Sequence, residues 1–278
     1  MLNQNVFKTP QSRDQIRSRY NGILSTFPFG QRYLDTSYGR TFVLEAGAPE
    51  SPALVLLHGS CSNSAFWYPE LCALSGSFRV LAVDILGEAG NSDENRLGLA
   101  SEGYADWLKE VLDALSVSGA VLVGNSLGGW MAMKFAVKYP QFVSKLILVA
   151  TAGLSRLNPD FLDRANKAAS QDETMKVDAG VTGEAALPQE VEEFINLILW
   201  GYNPVKEELP VFSDHQLAKL TMPLLYVAGK DDAMIDTVAA AQRLKKQLPN
   251  AHVHLLENTG HMVLSALEHI IPFLSGEE

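Results

Sequence analysis

The sequence is poor in cysteine, in basic charge and in long apolar runs. Its 278 residues contain two cysteines, Cys61 and Cys72, which excludes a disulfide framework and a cysteine-based zinc site. Asp and Glu number 32 against 22 Lys and Arg, giving a formal net charge of -10. Phosphate binding needs clustered Lys and Arg, so neither nucleic acid nor an anionic membrane surface is expected as a partner. The acidic balance reads as a solvated surface. No apolar run approaches the roughly 20 residues of a membrane span. The opening residues, Met1 to Lys8, carry no apolar stretch of the secretory type, and a cytoplasmic protein is expected. No internal repeat and no low-complexity tract is present.

What is present is a series of short apolar runs, rich in Val and Leu, that end in glycine or polar residues. Ala53–Leu57, Arg79–Val83, Ala120–Val123, Lys145–Val149, Leu224–Ala228 and Ala251–Leu256 read as strands, preceded by a half-buried strand over Arg40–Gly47. Continuous apolar strands separated by helical stretches indicate a mostly parallel sheet covered on both faces, an α/β architecture. Helices are expected near residues 10–27, Ser64–Leu74, Ser101–Leu115, Ser126–Tyr139, Asp236–Leu248 and Met262–Leu274. About seventy residues separate the strand ending at Ala150 from the one starting near Leu224, too long for a simple crossover. Asn158–Thr174 and Pro188–Leu199 read as helical within that gap. The division expected is a core of residues 1–152 and 214–278 with a small helical cap, residues 153–213, inserted into it.

The run Val121 to Val123 leads into Gly124-Asn125-Ser126-Leu127-Gly128-Gly129 and then into an amphipathic stretch. A strand entering a helix through Gly-x-Ser-x-Gly is a nucleophile elbow. The turn is sharp enough to strain the serine, and a side chain at position 124 or 128 would collide with neighbouring backbone. Ser126 would also stand at a helix N-terminus, where the dipole favours developing negative charge.

A serine hydroxyl needs a base, an orienter for that base, and donors for the oxyanion. On this architecture the order is serine, acid, histidine. The strand ending at Gly229 is followed by Lys230-Asp231-Asp232. Asp232 is the expected acid and Asp231 the runner-up; both also suit a turn or a helix cap. His261, in the loop Glu257 to Met262, is the expected base. His252 and His254 alternate within a strand and read as packed or solvated, while His58, His215 and His269 read as structural. The oxyanion donors expected are the backbone amides of Leu127 and of Ser60, with Gly59 allowing close approach and His58 bracing the loop. Phe66, Trp67, Trp130, Leu154, Trp200 and Met262 are candidates for the substrate pocket; ordinary packing explains each equally well.

Taken together, His58-Gly59, Asp84 to Ser92, Gly124 to Gly128, Gly229 to Asp232 and Gly260-His261 resemble the α/β-hydrolase superfamily over about 250 residues. Asp84 to Ser92 is similar to the family's Asp-x-x-Gly-x-Gly-x-Ser loop with one extra residue, a structural element there. The resemblance implies Ser126 as nucleophile, His261 as base and Asp232 as acid. A serine rather than an aspartate nucleophile sets aside haloalkane dehalogenases and epoxide hydrolases. The elbow is similar to that of C–C bond hydrolases, yet those commonly carry tryptophan after the histidine, where Met262 stands here. The N-terminal segment and the Asp-Ile-Leu-Gly loop look more like bacterial carboxylesterases. The expected activity is hydrolysis of a small carboxylic ester through an acyl-enzyme. A C–C bond hydrolase of a vinylogous diketone and a ligand-binding receptor with little turnover are the alternatives. No metal or organic cofactor is required by that chemistry, and oligomeric state is not legible.

Overall fold

The computed structural model describes residues 5–161, 179–182, 187–205 and 207–277. Eight strands form one sheet: β1 (Gly30–Thr36), β2 (Gly39–Ala46), β3 (Ala53–Leu57), β4 (Arg79–Val83), β5 (Ala120–Asn125), β6 (Val143–Val149), β7 (Leu224–Gly229) and β8 (His252–Leu256). Their order is β1-β2-β4-β3-β5-β6-β7-β8. From β4 onward every pairing is parallel, while β1 and β2 form an antiparallel hairpin added to that edge. The helices are α1 (Pro10–Leu24), α2 (Tyr68–Leu74), α3 (Gly103–Ala114), α4 (Leu127–Lys138), α5 (Ala179–Thr182), α6 (Gln189–Gly201), α7 (Asp214–Leu217), α8 (Thr237–Gln247) and α9 (Leu267–Ser275).

Alternate side chains of each central strand enter opposite cores, as the two-residue repeat of a strand requires. Leu122, Leu146, Leu148 and Tyr226 join α3, α4 and α8 on one face. Val121, Val123, Ile147, Leu225 and Val227 join α1, α2, α6 and α9 on the other. Both faces being apolar, these strands read as unbroken hydrophobic runs in the sequence.

Three boundaries differ from the sequence reading. Strand β1 has no counterpart in it, because this edge strand buries only Leu34 and otherwise shows polar or exposed side chains. The helix expected from Met262 begins at Leu267; residues 262–266 turn first, and the Met262 amide donates to the Val181 carbonyl at 2.8 Å. The stretch expected as one helix over Ser64–Leu74 is a 3-10 turn over Ser64–Trp67 followed by α2, with Pro69 fixing the first turn of the second piece. The Asn158–Thr174 expectation lies, beyond Phe161, outside the described residues, whereas Pro188–Leu199 corresponds to α6.

The segment between β6 and β7 is fastened to the core at several points. Leu157 bridges Ile235, and Phe212 N–H donates to the Gly153 carbonyl at 2.9 Å. Arg243 of α8 holds both feet of the segment, donating to the Leu154 carbonyl at 2.9 Å, to the Phe212 carbonyl at 2.5 Å and to Asp214 at 2.7 Å. On the far side, Lys8 N–H donates to Gly201 and Asn203 N–H to Val6, so the N-terminal strap is laced to the end of α6.

Candidate active site

The serine stands at the C-terminal end of β5, in the middle of the sheet. Ser126 has φ 50° and ψ -111°, a left-handed backbone that a non-glycine residue adopts only at a cost. The surrounding contacts enforce it. Ser126 N–H donates to the Val149 carbonyl at 2.9 Å, and its own carbonyl accepts from Trp130 N–H at 3.1 Å as α4 begins. A Cβ on Gly128 would lie 2.1 Å from the Leu57 carbonyl oxygen, and one on Gly124 would lie 2.5 Å from the Gly128 carbonyl oxygen. The two glycines are therefore required by close backbone approach, on both sides of the serine.

Asp232 and His261 come from the ends of β7 and β8, strands on the same side of β5. His261 Nε2 is 3.0 Å from Ser126 Oγ, and His261 Nδ1 is 2.7 Å from Asp232 Oδ2. The other oxygen, Oδ1, accepts Met234 N–H at 2.7 Å and Ile235 N–H at 3.0 Å. With Oδ1 committed to the two amides, Oδ2 is held toward the imidazole. Nδ1–H then donates to the carboxylate, which leaves Nε2 as an acceptor for the serine hydroxyl. Asp231 is exposed and makes no such bond; its amide donates to the Thr259 carbonyl at 3.0 Å and shapes the turn.

The loop after β3 approaches the serine from the opposite side. A Cβ on Gly59 would sit 3.4 Å from Ser126 Cβ, so Gly59 lies directly beside it. His58 is buried below, and its ring bonds fix its protonation. Nδ1 is 2.8 Å from the Gly59 carbonyl and must donate; Nε2 accepts Ile85 N–H at 3.0 Å. This is the neutral Nδ1–H tautomer, and burial, holding the pKa below 6.5, agrees with it. Burial and the neighbouring Glu88 charge push the Cys61 thiol up to about 12, so no thiolate is available there.

Of the candidate pocket residues, Met262 follows His261 in the chain and is half-buried, and Phe66 stacks on Phe194 of α6 with centroids 5.7 Å apart and planes at 7°. Trp130 is buried in one core, its indole N–H donating to Pro210 at 2.9 Å, and Trp67 is buried in the other. Leu154 is buried in the same core as Trp130, whereas Trp200 is 48% exposed on α6. His254 and His269 pack ring to ring at 4.5 Å, and His252 packs on Phe273. Phe194 and Val181 were not foreseen, because their approach depends on how the segment between β6 and β7 folds back. Glu88 was not foreseen either, although a carboxylate within the otherwise apolar Ile85-Leu86-Gly87-Glu88-Ala89-Gly90 run was a visible signal.

Known proteins resemble this chain over most of its length. Carboxylesterase YbfK of Bacillus subtilis (strain 168) is 27% identical over 268 residues, covering 92% of this chain and 90% of its own. The uncharacterized carboxylesterase nap of the same organism is 30% identical over 255 residues, covering 88% of this chain and 85% of its own. The crystal structure of naproxen esterase (carboxylesterase NP) from Bacillus subtilis superposes with a TM-score of 0.80 at 27% identity, covering 96% of this chain and 99% of that one. The model of the alpha/beta hydrolase family matches residues 54–269. The chain belongs to the alpha/beta hydrolase family.

Proposed function

We propose that this protein is a serine carboxylesterase in which Ser126 is the nucleophile, His261 the general base and acid, and Asp232 the orienting carboxylate. The observation that carries the reading is the position of His261, within 3.0 Å of Ser126 Oγ on one nitrogen and 2.7 Å of Asp232 on the other. The carboxylesterase names of two relatives matched over most of both chains support it.

In this mechanism Oγ attacks the ester carbonyl carbon as its proton passes to His261 Nε2. The carbonyl oxygen becomes an alkoxide held by the amides of Ser60 and Leu127, the latter opening α4 with the helix dipole behind it. Collapse expels the alcohol, which takes the proton from Nε2 and leaves an ester on Ser126. Water, deprotonated by the same imidazole, attacks that ester and releases the acid. Asp232 stabilises the imidazolium and fixes the tautomer throughout. The segment between β6 and β7 acts as the cap, with Met262 and the stacked Phe66–Phe194 pair bounding an apolar acyl or alcohol group. None of the described helices is long and apolar enough to cross a membrane.

The test is turnover of nitrophenyl esters of graded chain length, with a naproxen ester included, by the wild type and Ser126→Ala. A loss of about 10⁴-fold or more in kcat is expected for the variant. Equal rates for the two proteins would remove the reading, and turnover confined to a vinylogous diketone would replace ester hydrolysis with C–C cleavage.

A further inference from the structure

The proposed oxyanion donor Ser60 is a loop amide, and two peptide planes decide where it points. The Gly59 carbonyl and the Ser60 N–H belong to one planar trans unit and point in opposite directions. His58 holds that unit through the Gly59 carbonyl at 2.8 Å. The next unit carries the Cys61 N–H, which donates to Glu88 Oε2 at 3.1 Å. Cys61 has φ 56°, a conformation that must be held in place for a residue with a Cβ.

Glu88 is an uneconomical residue for a mere loop contact. It is 3% exposed, and burial raises its pKa to about 7. The groups facing it are the Arg96 guanidinium, the hydroxyls of Tyr202, Tyr104 and Ser60, and the Cys61 thiol. Arg96 is itself buried and donates through Nε to Gly87 at 3.2 Å and through Nη2 to the Asn203 carbonyl. Tyr202 and Asn203 follow α6 within the segment between β6 and β7 and are laced to the N-terminal strap through Phe7 and Val6. Glu88 is thus fixed between the oxyanion loop and the residues that follow α6.

We propose that Glu88 is a positioning residue which, by holding the Cys61 amide, sets the direction of the Ser60 N–H for the developing alkoxide. The inference rests on the serine-hydrolase reading above. The acceptor oxygen is what matters, so a neutral side chain that keeps it can serve.

The variants are Glu88→Met, close in volume but without an acceptor, and Glu88→Gln, which retains one. Met leaves the Cys61 N–H and the buried Arg96 guanidinium without the carboxylate and is expected to cost stability, so its kinetics are read on protein shown by urea unfolding to be folded under the assay conditions. Its kcat on a short-chain nitrophenyl ester should fall about ten- to a hundred-fold with KM nearly constant, while Gln stays within about three-fold. An aliphatic trifluoromethyl ketone reports the oxyanion hole directly, because Ser126 adds to it to give a tetrahedral alkoxide. Its Ki should rise in Glu88→Met by the factor lost from kcat/KM, while the Ki of the matching non-fluorinated methyl ketone changes little. Losses shared equally by both ketones, or by Met and Gln, would mark Glu88 as structural and overturn the inference. Full activity and unchanged Ki in Glu88→Met would also overturn it. Wild type and Ser126→Ala, run alongside, separate these outcomes: if those two match, the hydrolase reading fails first.

Discussion

Asp232 reaches His261 with one carboxylate oxygen at 2.7 Å, while its other oxygen is held by the amides of Met234 and Ile235. The carboxylate is therefore oriented by its own turn before the histidine arrives. Asp232→Asn can keep the two amide bonds through its carbonyl oxygen and turn its NH₂ toward Nδ1. That forces the proton onto Nε2, which then donates toward Ser126 and cannot take the hydroxyl proton. A loss of about 10³- to 10⁴-fold in kcat is expected, with the thermal midpoint close to wild type. Asp231→Asn should stay within about two-fold, since a solvated turn residue contributes little. The opposite ranking in steady-state kinetics would move the acid to Asp231.

The elbow can be tested through its glycines. A Cβ on Gly128 would meet the Leu57 carbonyl oxygen at 2.1 Å, and backbone cannot step aside without opening the β3–β5 pairing. A Cβ on Gly129 would meet Thr151 Oγ1 at 2.1 Å and Cγ2 at 2.7 Å, both side-chain atoms. Each Gly→Ala change should cost about 1–3 kcal/mol of unfolding free energy. Thr151→Ala removes the two nearest obstacles and should recover part of the loss for Gly129→Ala and none for Gly128→Ala. Urea unfolding of the four proteins and the two double variants gives the coupling directly.

How legible these features were in the sequence follows from how local their causes are. Strands β3 to β7 are visible because both faces of their central residues are buried, so the chain is apolar there, with Arg79, Asn125 and Ser144-Lys145 only toward strand ends. Ser126 was visible because its elbow is enforced within five residues, Gly124 to Gly128. The acid and base were reached through strand ends, since β7 and β8 deliver their loops to the same edge as β5. Strand β1 was hidden because its pairing with β2 needs backbone bonds and only one buried side chain, Leu34. The delayed start of α9 was hidden for a different reason. Residues 262–266 belong to a long-range contact, the Met262 amide donating to Val181 about eighty residues earlier in the chain, and no local pattern records such a contact. Trp130, a pocket candidate from its place beside the elbow, faces the core because α4 turns it there to meet Phe212 and Pro210.

Arg243 ties the beginning and the end of the segment between β6 and β7 to α8, through Leu154, Phe212 and Asp214. Lysine can reach one of these acceptors but cannot fork to all three. Arg243→Met should destabilise the protein by about 2 kcal/mol or more, because two carbonyls lose a charged donor. Arg243→Lys should recover less than half of that. Ester turnover by the two variants should follow the same order, with KM rising as the segment loosens over the site. Equal stability of wild type and Arg243→Met in urea would show that the remaining contacts of the segment suffice.

Two buried titratable groups beneath the oxyanion loop respond to pH with opposite signs. His58 has a folded pKa below 6.5, so the unfolded chain takes up the proton first, and stability falls as pH drops through that region. Glu88 has a folded pKa of about 7 against 4.5 for an ordinary glutamate, so the folded chain keeps its proton longer. Between those two values each rise in pH charges the unfolded carboxyl and leaves the folded one neutral, and stability falls as pH rises. Glu88→Gln deletes the second effect alone. The difference in unfolding free energy, variant minus wild type, should therefore grow in the variant's favour from about pH 5 to about pH 7 and level off above about pH 8. Taking the difference at each pH cancels the other carboxylates, which both proteins share. Urea titrations at matched ionic strength measure it. A difference that shrinks as pH rises would mean that Arg96 and the Cys61 amide stabilise the charged carboxylate more than burial penalises it.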